Sequence, residues 1–434
     1  MPDPVRTRTR LTVIQATPFC NVNCRYCYLP DKSSTKRIDD QTLKRTFALL
    51  LAEPSHSDPV SIVWHAGEPL ILPISFYENA FRIAEQCNTR GLRIVHFFQT
   101  NGTLINQDWC DFFKRYQVKV GVSLDGPPHL HDASRVDRAG RGTFERVMRG
   151  IKLLQQNEIE PSIITVLTKS ALDNPDEIWH FFAEHGLRHL AFNVEEIEGV
   201  HRHSSLEGDE TFMRYKRFFR RLLELRDQHE NHPFVREFDH IINVMKNVDK
   251  YADRKAGAQE NEPLAILSID CEGSISTFSP ELLTMTHPHY GHFRFGNVFG
   301  GTLEDMLISQ KFVDMNTQIQ RGVSRCRESC QYFAFCGGGA PSNKLWENNA
   351  FDSTETMRCR LGKQAIVEAV LDYLESKYAL PSAHKISLLE RIIRLRELGT
   401  HEMEDEVWSV WSDGDGFSDW DKGGPSWPKS SALT

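Results

Sequence analysis

The sequence lacks a long apolar run, a signal-peptide pattern and a stripe of basic residues. No stretch of its 434 residues is long and apolar enough to cross a bilayer, and residues 1–10 are rich in proline and arginine. We therefore expect no membrane partner and a cytoplasmic location. The net charge of −8 and the scattered basic residues also exclude the basic face that a nucleic-acid partner requires.

Cysteine is abundant, and its distribution is the most informative pattern in the chain. Ten cysteines occur without a secretion signal, so we expect a reducing environment in which clustered thiols more often bind metal than form disulfides. Three of them lie within eight residues directly after the apolar run 11–17, and four more lie near one another further along the chain. The two groups are Cys20, Cys24 and Cys27, and Cys326, Cys330, Cys336 and Cys359.

Short apolar runs alternate with amphipathic helical patterns between residues 11 and about 198. Six repeats of strand then helix predict an α/β fold with a parallel sheet, curved into a partial (β/α)6 TIM-like barrel. Polar motifs follow the ends of the predicted strands, so we expect them to converge on the C-terminal face of the barrel. The predicted strands are 11–17, 61–66, 93–98, 118–124, 162–168 and 189–194.

The first cysteine group has the spacing C-x3-C-x2-C. Three thiolates can hold three irons of a [4Fe–4S] cube and leave the fourth iron open to a substrate or cofactor. A zinc site instead closes with four ligands, usually in paired spacings, so zinc is the weaker alternative. With Tyr26 before the third cysteine, the motif resembles that of the radical S-adenosylmethionine (radical SAM) enzymes.

The resemblance extends to the turn after the second predicted strand. Ala66, Gly67 and Glu68, followed by a proline, resemble the family's GGEP element with alanine in place of the first glycine. In the family this element contacts the amino group of SAM, and the Glu68 carboxylate could face that ammonium. The alternative is a Gly-Pro turn with a solvated glutamate.

Three further segments resemble the SAM contacts of the family. Ser123 is expected near the SAM ribose, and Arg135 could pair with the SAM carboxylate through its planar fork. Thr100 and Asn101 belong to a loop that resembles the family's TNG segment. A surface salt bridge for Arg135 and a capped turn for the loop remain open. The complete set expected to bind the cofactor is Tyr26, Ala66, Gly67, Glu68, Thr100, Asn101, Ser123 and Arg135.

The second cysteine group supplies four thiolates, a full complement for another [4Fe–4S] cluster, with a zinc knot as the alternative. The arrangement resembles the SPASM extension of radical SAM peptide maturases, although its first gap is three residues rather than two. The full SPASM pattern has seven cysteines, and from its inner-cluster set Cys271 alone remains here. We therefore expect one auxiliary cluster, at Cys326, Cys330, Cys336 and Cys359.

These patterns divide the chain into six parts. The predicted organisation is a flexible basic arm at 1–10, a radical SAM partial barrel at 11–230, a bridging segment at 231–265, a SPASM-like auxiliary cluster domain at 266–365, C-terminal helices at 366–400, and an acidic, Trp-rich tail at 401–434.

Several stretches narrow the resemblance to the glycine-rich-repeat peptide maturases, which are radical SAM/SPASM enzymes that form cyclophanes. This resemblance implies that a 5′-deoxyadenosyl radical removes a β-hydrogen from a precursor peptide, and that the carbon then bonds to an aromatic ring two residues away. Thioether crosslinking, sulfatase-type formylglycine formation and a non-catalytic electron-transfer role remain as alternatives. The resemblance spans about residues 11–365 and is carried by segments 15–19, 28–37, 64–70, 192–199 and 336–341.

Oxidative ring closure also needs an electron acceptor, which the auxiliary cluster would provide, and a base for the ring proton. A low-potential donor such as flavodoxin or ferredoxin would reduce the SAM cluster. The candidate bases are acidic residues expected near the barrel rim, each of which could instead be a helix cap or a salt-bridge partner. These candidates are Glu195, Glu196, Glu198 and Asp270.

The acidic tail carries −6 of the net charge of −8 and four of the eight tryptophans, at Trp408, Trp411, Trp420 and Trp427. Its composition favours a mobile terminus whose aromatic residues dock on the body of the protein. The alternative is a tail that occupies the peptide groove as a substrate mimic or a gate.

Overall fold

Six strand–helix units form the N-terminal half of the protein in this computed structural model, which describes residues 8–52, 59–229, 232–247, 258–378 and 387–402. All six predicted strands are present, with ends that differ from the prediction by no more than three residues. The strands are β1 (Leu11–Ile14), β2 (Val60–Trp64), β3 (Ile94–Thr100), β4 (Lys119–Ser123), β5 (Ser162–Leu167) and β6 (His189–Val194).

Helices follow these strands and cover the outside of the sheet. Amphipathic patterns predict six of these seven helices, including the long one after β6. The short helix α4 was not expected. The helices are α1 (Asp40–Ala52), α2 (Ile74–Cys87), α3 (Gln107–Arg115), α4 (Pro128–Ser134), α5 (Phe144–Gln156), α6 (Pro175–Glu184) and α7 (Thr211–Arg226).

Every neighbouring pair from β1 to β6 is parallel. Parallel strands need crossover connections, and the helices provide them. The expected fold class, an α/β partial barrel followed by a C-terminal domain, is confirmed.

The sheet continues beyond both ends of the predicted barrel. At one end β7 (Phe234–Val235) pairs with β6, and helix α8 (Arg236–Lys246) follows directly. At the other end β8 (Ile266–Ile269) runs parallel to β1, and β9 (Ser274–Thr277) pairs antiparallel with β8. The predicted domain boundary at residue 266 therefore does not coincide with an edge of the sheet.

Smaller elements complete the C-terminal part. Strands β10 (Thr286–His287) and β11 (Gly291–His292) form a separate hairpin, and β12 (Gly296–Asn297) adds to β9 as the last strand of the main sheet. The helices here are α9 (Leu303–Ile308), α10 (Gln310–Ser329), α11 (Phe333–Cys336), α12 (Pro341–Asn348), α13 (Met357–Cys359), a π-helical segment (Arg360–Ala365), α14 (Ile366–Lys377) and α15 (Leu388–Glu402).

The two faces of the barrel strands have different environments because successive side chains point to opposite faces. Side chains that face the helices, such as Trp64 and Phe98, are fully buried and pack edge-on against Tyr77. Side chains on the other face, such as Gln99 and Ser123, are only partly buried. Gln99 lines a small cavity of about 70 Å³ on this side of the sheet.

Among the described residues, no helix is long and apolar enough to cross a membrane. The predicted arm at 1–10 is described only from residue 8, and the tail at 401–434 lies outside the described residues beyond residue 402, with all four of its tryptophans.

Candidate active site

The first cysteine group lies in the loop after β1, on the C-terminal face of the barrel. Main-chain hydrogen bonds fix this loop from two sides. On one side the Glu68 amide donates to the Phe19 carbonyl oxygen (2.8 Å). On the other side the amides of Asn23 and Arg25 donate to carbonyls in the segment that ends α4 (2.7 and 2.9 Å). The cysteine loop is therefore held by its backbone between the turn after β2 and the end of α4.

The turn after β2 approaches the cysteine loop so closely that it requires glycine. A Cβ on Gly67, whose φ is +144°, would lie 2.1 Å from the Thr17 carbonyl oxygen. The preceding residue, Ala66, is buried and also has a positive φ of 65°. Glycine adopts this conformation more readily than alanine does. The departure from the GGEP pattern therefore places a non-glycine residue in the left-handed region.

Glu68 organises the ends of β2 and β3. Its carboxylate is 1 % exposed and accepts three hydrogen bonds, from the Thr100 hydroxyl (2.6 Å), the Asn101 amide (2.7 Å) and the Leu70 amide (3.0 Å). Burial raises the pKa of Glu68 to about 7, although these three donors act in the opposite direction. Glu68 thus fastens the loop after β3 to the turn after β2.

The side chain of Asn101 reaches the cysteine loop. Its Nδ2 donates to the Asn21 side chain (2.9 Å) and lies 3.7 Å from the Cys20 sulfur, which it also contacts as a donor. Thr103 donates in turn to the Asn101 oxygen through both its amide and its hydroxyl. Asn101 therefore presents an N–H group to one of the three candidate thiolate ligands.

Arg135 is buried, and its fork pairs with Asp125, a residue that the sequence analysis did not single out. Arg135 donates to both carboxylate oxygens of Asp125 at 3.0 Å, and Tyr26 donates its hydroxyl to the same carboxylate. The remaining nitrogen, Nη1, lies 3.9 Å from the Cys24 sulfur. The expected bidentate pairing of Arg135 with a SAM carboxylate would have to compete with Asp125, and it stays a prediction.

Ser123 lies at the end of β4 on the concave face of the sheet, where it accepts a hydrogen bond from Gln99 Nε2 (3.2 Å). Two residues further along the chain, Asp125 accepts from the Val166 amide (2.9 Å) on β5. The strand-end polar groups therefore do lie along one rim, as the strand–helix repeats predicted. The role of Ser123 at a ribose stays a prediction.

The environment of the three thiols fits an iron–sulfur cluster. Burial raises the pKa of Cys20 to about 12 and that of Cys24 to about 11, and the nearby Glu68 raises the former further. Thiolate ligands in such a setting need a cation to stabilise them, and iron supplies one. The side chains of Asn101 and Arg135 direct donors at the sulfurs of Cys20 and Cys24, and the Val22 amide also donates to Cys20.

The second cysteine group also comes together in space. Burial raises the pKa values of Cys326, Cys330 and Cys359, and the nearby Cys336 raises all three further, which places Cys336 among the other three thiols. Backbone amides of Gly338 and Thr356 donate to the sulfurs of Cys336 and Cys359, both at 3.4 Å. Such N–H···S contacts are typical of iron–sulfur ligands.

Within the part of the chain that the structure describes, no three His, Cys, Asp or Glu side chains converge as they would on a single metal ion. In a cubane cluster each thiolate binds a different iron, so the ligands stand further apart than around one ion.

The four candidate bases differ in their surroundings. Glu195 anchors its own loop, because its carboxylate accepts from the amide (2.9 Å) and hydroxyl of Ser205 and lies 3.4 Å from His201. Asp270 caps the β8–β9 turn by accepting from the amides of Glu272 and Ser274, both at 2.9 Å. These contacts correspond to the alternative of structural carboxylates, so neither residue faces the site as an open base.

Glu196 and Glu198 instead form an acidic cluster with Glu281, which the sequence did not predict; Glu198 is buried, and the other two are partly buried. One amide nitrogen, Asn343 Nδ2, donates to both carboxylates at 3.0 Å, and Arg358 Nε pairs with Glu196 at 3.0 Å. Burial raises the pKa of Glu281 to about 7, and Glu196 raises it further. Burial likewise raises the pKa of Glu198, together with Glu196 and Glu281.

This acidic cluster lies next to the cysteine loop. The Val200 amide donates to the Tyr28 carbonyl oxygen (3.2 Å), one residue beyond Cys27, and a Cβ on Gly199 would lie 2.5 Å from the same oxygen. Arg358, which pairs with Glu196, directly precedes Cys359. The acidic cluster therefore connects the two cysteine groups.

A cavity of about 440 Å³, the rim cavity, opens between the β6–α7 loop and helices α12 and α13. Its wall includes residues next to Glu196 and next to Cys359, and Arg202 stacks on the Trp346 ring at 4.7 Å. Its apolar side chains come from both halves of the protein, namely Ile197, Leu206, Phe212, Trp346, Met357 and Leu361.

Similarity to known proteins identifies the family. Residues 14–169 match the radical SAM superfamily. Over 376 residues the chain is 44 % identical to sll1766 of Synechocystis sp., a protein described as uncharacterized, with 86 % of this chain and 94 % of that protein covered. The chain belongs to the radical SAM superfamily.

Two further likenesses concern sulfatase-maturating enzymes. This radical SAM protein is 27 % identical over 344 residues to a serine-type anaerobic sulfatase-maturating enzyme of Bacteroides thetaiotaomicron, with 75 % of this chain and 81 % of that enzyme covered. Its fold resembles that of anSMEcpe solved with AdoMet and the Cp18Cys peptide, with a TM-score of 0.67, 20 % identity, and coverage of 89 % and 99 %.

The expected cofactors are confirmed: SAM with its [4Fe–4S] cluster, and an auxiliary [4Fe–4S] cluster of the kind that sulfatase-maturating and SPASM-type enzymes carry. Which residues hold them stays a prediction. Cys20, Cys24 and Cys27 fit the first cluster, and the four thiols around Cys336 fit the second.

Iron content tests this assignment. Seven thiolates suited to two [4Fe–4S] clusters predict about eight irons per chain, and replacing Cys20, Cys24 and Cys27 with alanine should leave about four. Anaerobic reconstitution with iron and sulfide assays measures both values, and Cys87→Ala serves as a control that should keep about eight. About four irons in the wild type would contradict the assignment of an auxiliary cluster. About twelve would indicate a further cluster near Cys271.

The close turn after β2 gives a second prediction. Gly67→Ala should lower the free energy of unfolding by about 3 kcal/mol and impair cluster loading, because the new Cβ meets a backbone oxygen. Ala66→Gly should change it by less than about 1 kcal/mol, since relief of the positive φ offsets the added chain entropy.

Urea unfolding measures both variants. Gly140→Ala is the matched control, because Gly140 also has a positive φ (+79°) but a Cβ there meets nothing within 4 Å. It should cost about 1 kcal/mol from strain alone. Equal losses for Gly67→Ala and Gly140→Ala would contradict the assigned contact with Thr17.

Proposed function

We propose that this radical SAM protein modifies a ribosomally synthesised precursor peptide by forming a three-residue cyclophane. In this reaction a C–H bond at a β-carbon and a C–H bond of an aromatic ring two residues away are replaced by one C–C bond. Two hydrogens leave the peptide in total, one as an abstracted atom and one as a proton, together with one further electron. When bound, SAM and the two clusters supply the abstracting radical and the electron acceptor.

A peptide substrate is supported by the known relatives. The Bacteroides relative is a sulfatase-maturating enzyme, and anSMEcpe has been solved with a peptide bound. The C-terminal domain would then be SPASM-like, and a low-potential donor such as flavodoxin or ferredoxin would reduce the SAM cluster.

The rim cavity is the observation that favours a cyclophane. Sulfatase-type chemistry acts on a small Cys or Ser side chain, whereas this cavity of about 440 Å³ has the aromatic side chains of Phe212 and Trp346 in its wall. Charged residues such as Arg202 and Glu207 line the rest of it. It suits an aromatic side chain of the substrate, which gains both burial and ring contacts there. Its wall also includes the neighbours of Glu196 and of Cys359.

The acidic cluster of Glu196, Glu198 and Glu281 would supply the base for the ring proton. A general base is most effective when its pKa lies near the working pH, and burial raises the pKa of Glu281 to about 7. Glu281 in turn raises the pKa of Glu198, and Asn343 donates a hydrogen bond to the Glu198 carboxylate. Of the four residues expected from the sequence, Glu198 is therefore the one we retain, with Glu281 as its partner and Glu196 as the nearby charge.

Product analysis tests the reaction. With reductant and a cognate peptide, each crosslink should lower the product mass by about two hydrogens, and fragmentation should fail within an aromatic-x-x segment. Formylglycine formation from serine removes the same two hydrogens, so mass alone does not separate the two reactions. A product that reacts with an aldehyde reagent and fragments normally would move the enzyme to the sulfatase-type alternative, and a link to sulfur would indicate a thioether.

The base assignment predicts a pH dependence. The crosslinking rate should increase as the pH rises through about 7, because the Glu198–Glu281 pair accepts a proton only when Glu281 is ionised. Glu281→Gln and Glu198→Gln should each lower the rate about 100-fold and abolish this dependence, while SAM cleavage continues. Single-turnover rates from pH 6 to 9 measure the effect; Glu272→Gln, at an exposed carboxyl paired with Lys36, is the control. An unchanged profile in both variants would exclude this cluster as the base.

A further inference from the structure

A buried lysine lies beside the second cysteine group without a conventional partner. Lys344, on α12, is 2 % exposed, and its Nζ has no nitrogen or oxygen acceptor among the described residues. The group that faces this ammonium is the Cys326 thiol, with which the Lys344 side chain forms a hydrogen bond. The ammonium is thus directed at a candidate ligand of the auxiliary cluster.

The fold leaves room for this ammonium. Gly322 lies on α10 one turn before Cys326, on the same face of the helix. A Cβ at Gly322 would lie 3.0 Å from Lys344 Nζ and 2.6 Å from the Phe351 carbonyl oxygen. Any larger residue at this position would therefore displace the lysine head group from the side of Cys326.

An ammonium in such a place needs an anion. A buried charge without a partner is strongly unfavourable, so buried charges in proteins are paired or bind metal centres. Four thiolates around a [4Fe–4S] cube leave a net charge of about −2, which becomes about −3 on one-electron reduction. The cluster is the anion that the position of Lys344 requires.

Other charges also face the four thiols. Lys363 lies near Cys336, and Glu355 lies near Cys330 and Cys359. Arg358 lies close to Lys363 and disfavours the charged form of that lysine. Lys344, in contrast, faces Cys326, and the described contacts of that thiol include no other cation. Lys344 is therefore the cation that acts on the α10 side of the cluster.

We propose that Lys344 is a positioning residue that raises the reduction potential of the auxiliary cluster. Its positive charge stabilises the reduced cluster more than the oxidised cluster, because the reduced form carries the greater negative charge. The cluster thereby becomes a better acceptor for the electron that leaves the peptide. This inference rests on the auxiliary cluster and on its accepting role in the proposed function.

The test measures the midpoint potential of the auxiliary cluster by redox titration followed by EPR. The protein carries Cys20, Cys24 and Cys27 replaced by alanine, so that the auxiliary cluster alone contributes to the spectrum. Lys344→Met should lower the equilibrium constant for reduction at least tenfold, which corresponds to about 59 mV for one electron. Lys344→Gln should do the same, and Lys344→Arg, which keeps the charge, should stay within threefold of the parent.

Lys152→Met is the matched control, because Lys152 is an exposed residue on α5 and its loss changes the net charge equally. An unshifted potential in Lys344→Met, or an equal shift in the Lys152 control, would overturn the proposal. If Lys344→Met does not load its cluster, the comparison of Gln with Arg decides: equal potentials in these two would also overturn it. Because no peptide is present, a failure of the cyclophane reaction would leave this result unaffected.

Discussion

The contact between the turn after β2 and the loop after β1 is the constraint on which the rest of the site depends. Gly67 meets the Thr17 carbonyl so closely that no side chain fits between them, and the next residue, Glu68, binds the same loop through its amide. The Glu68 carboxylate then fixes Thr100 and Asn101, so three strand ends are joined through one residue. This backbone packing places the three thiols, and the contacts of Asn101 with Cys20 and of Arg135 with Cys24 add to it.

Helix α12 has an equivalent role in the C-terminal part. Neighbouring residues on this short helix serve the two functional regions: Asn343 holds Glu196 and Glu198, and Lys344 faces Cys326. Arg358 adds a second connection, because it pairs with Glu196 and precedes Cys359. The proton-accepting groups and the electron-accepting group are thus held by shared elements. This suits an oxidation that must remove both a proton and an electron from one substrate.

Local patterns predicted what depends on local sequence. The six strands follow from apolar periodicity, and the cysteine groups from their spacing, so both could be found without a structure. The pairing of Arg135 with Asp125 is different, because the sequence suggested the SAM carboxylate as the partner of Arg135. Glu281, Asn343 and Lys344 have no local signature at all: Asn343 meets Glu198 across 145 residues of chain, and only the folded structure brings them together.

The parallel pairing of β8 with β1 has a consequence for how the protein is made. β1, which leads into the cysteine loop, pairs with β2 on one side and with residues 266–269 on the other. During synthesis the N-terminal strands therefore emerge long before the partner that covers this edge, and an uncovered parallel edge favours association with other chains. Fragments that end before β8 would keep that edge exposed, so we expect them to associate more readily than the full chain does.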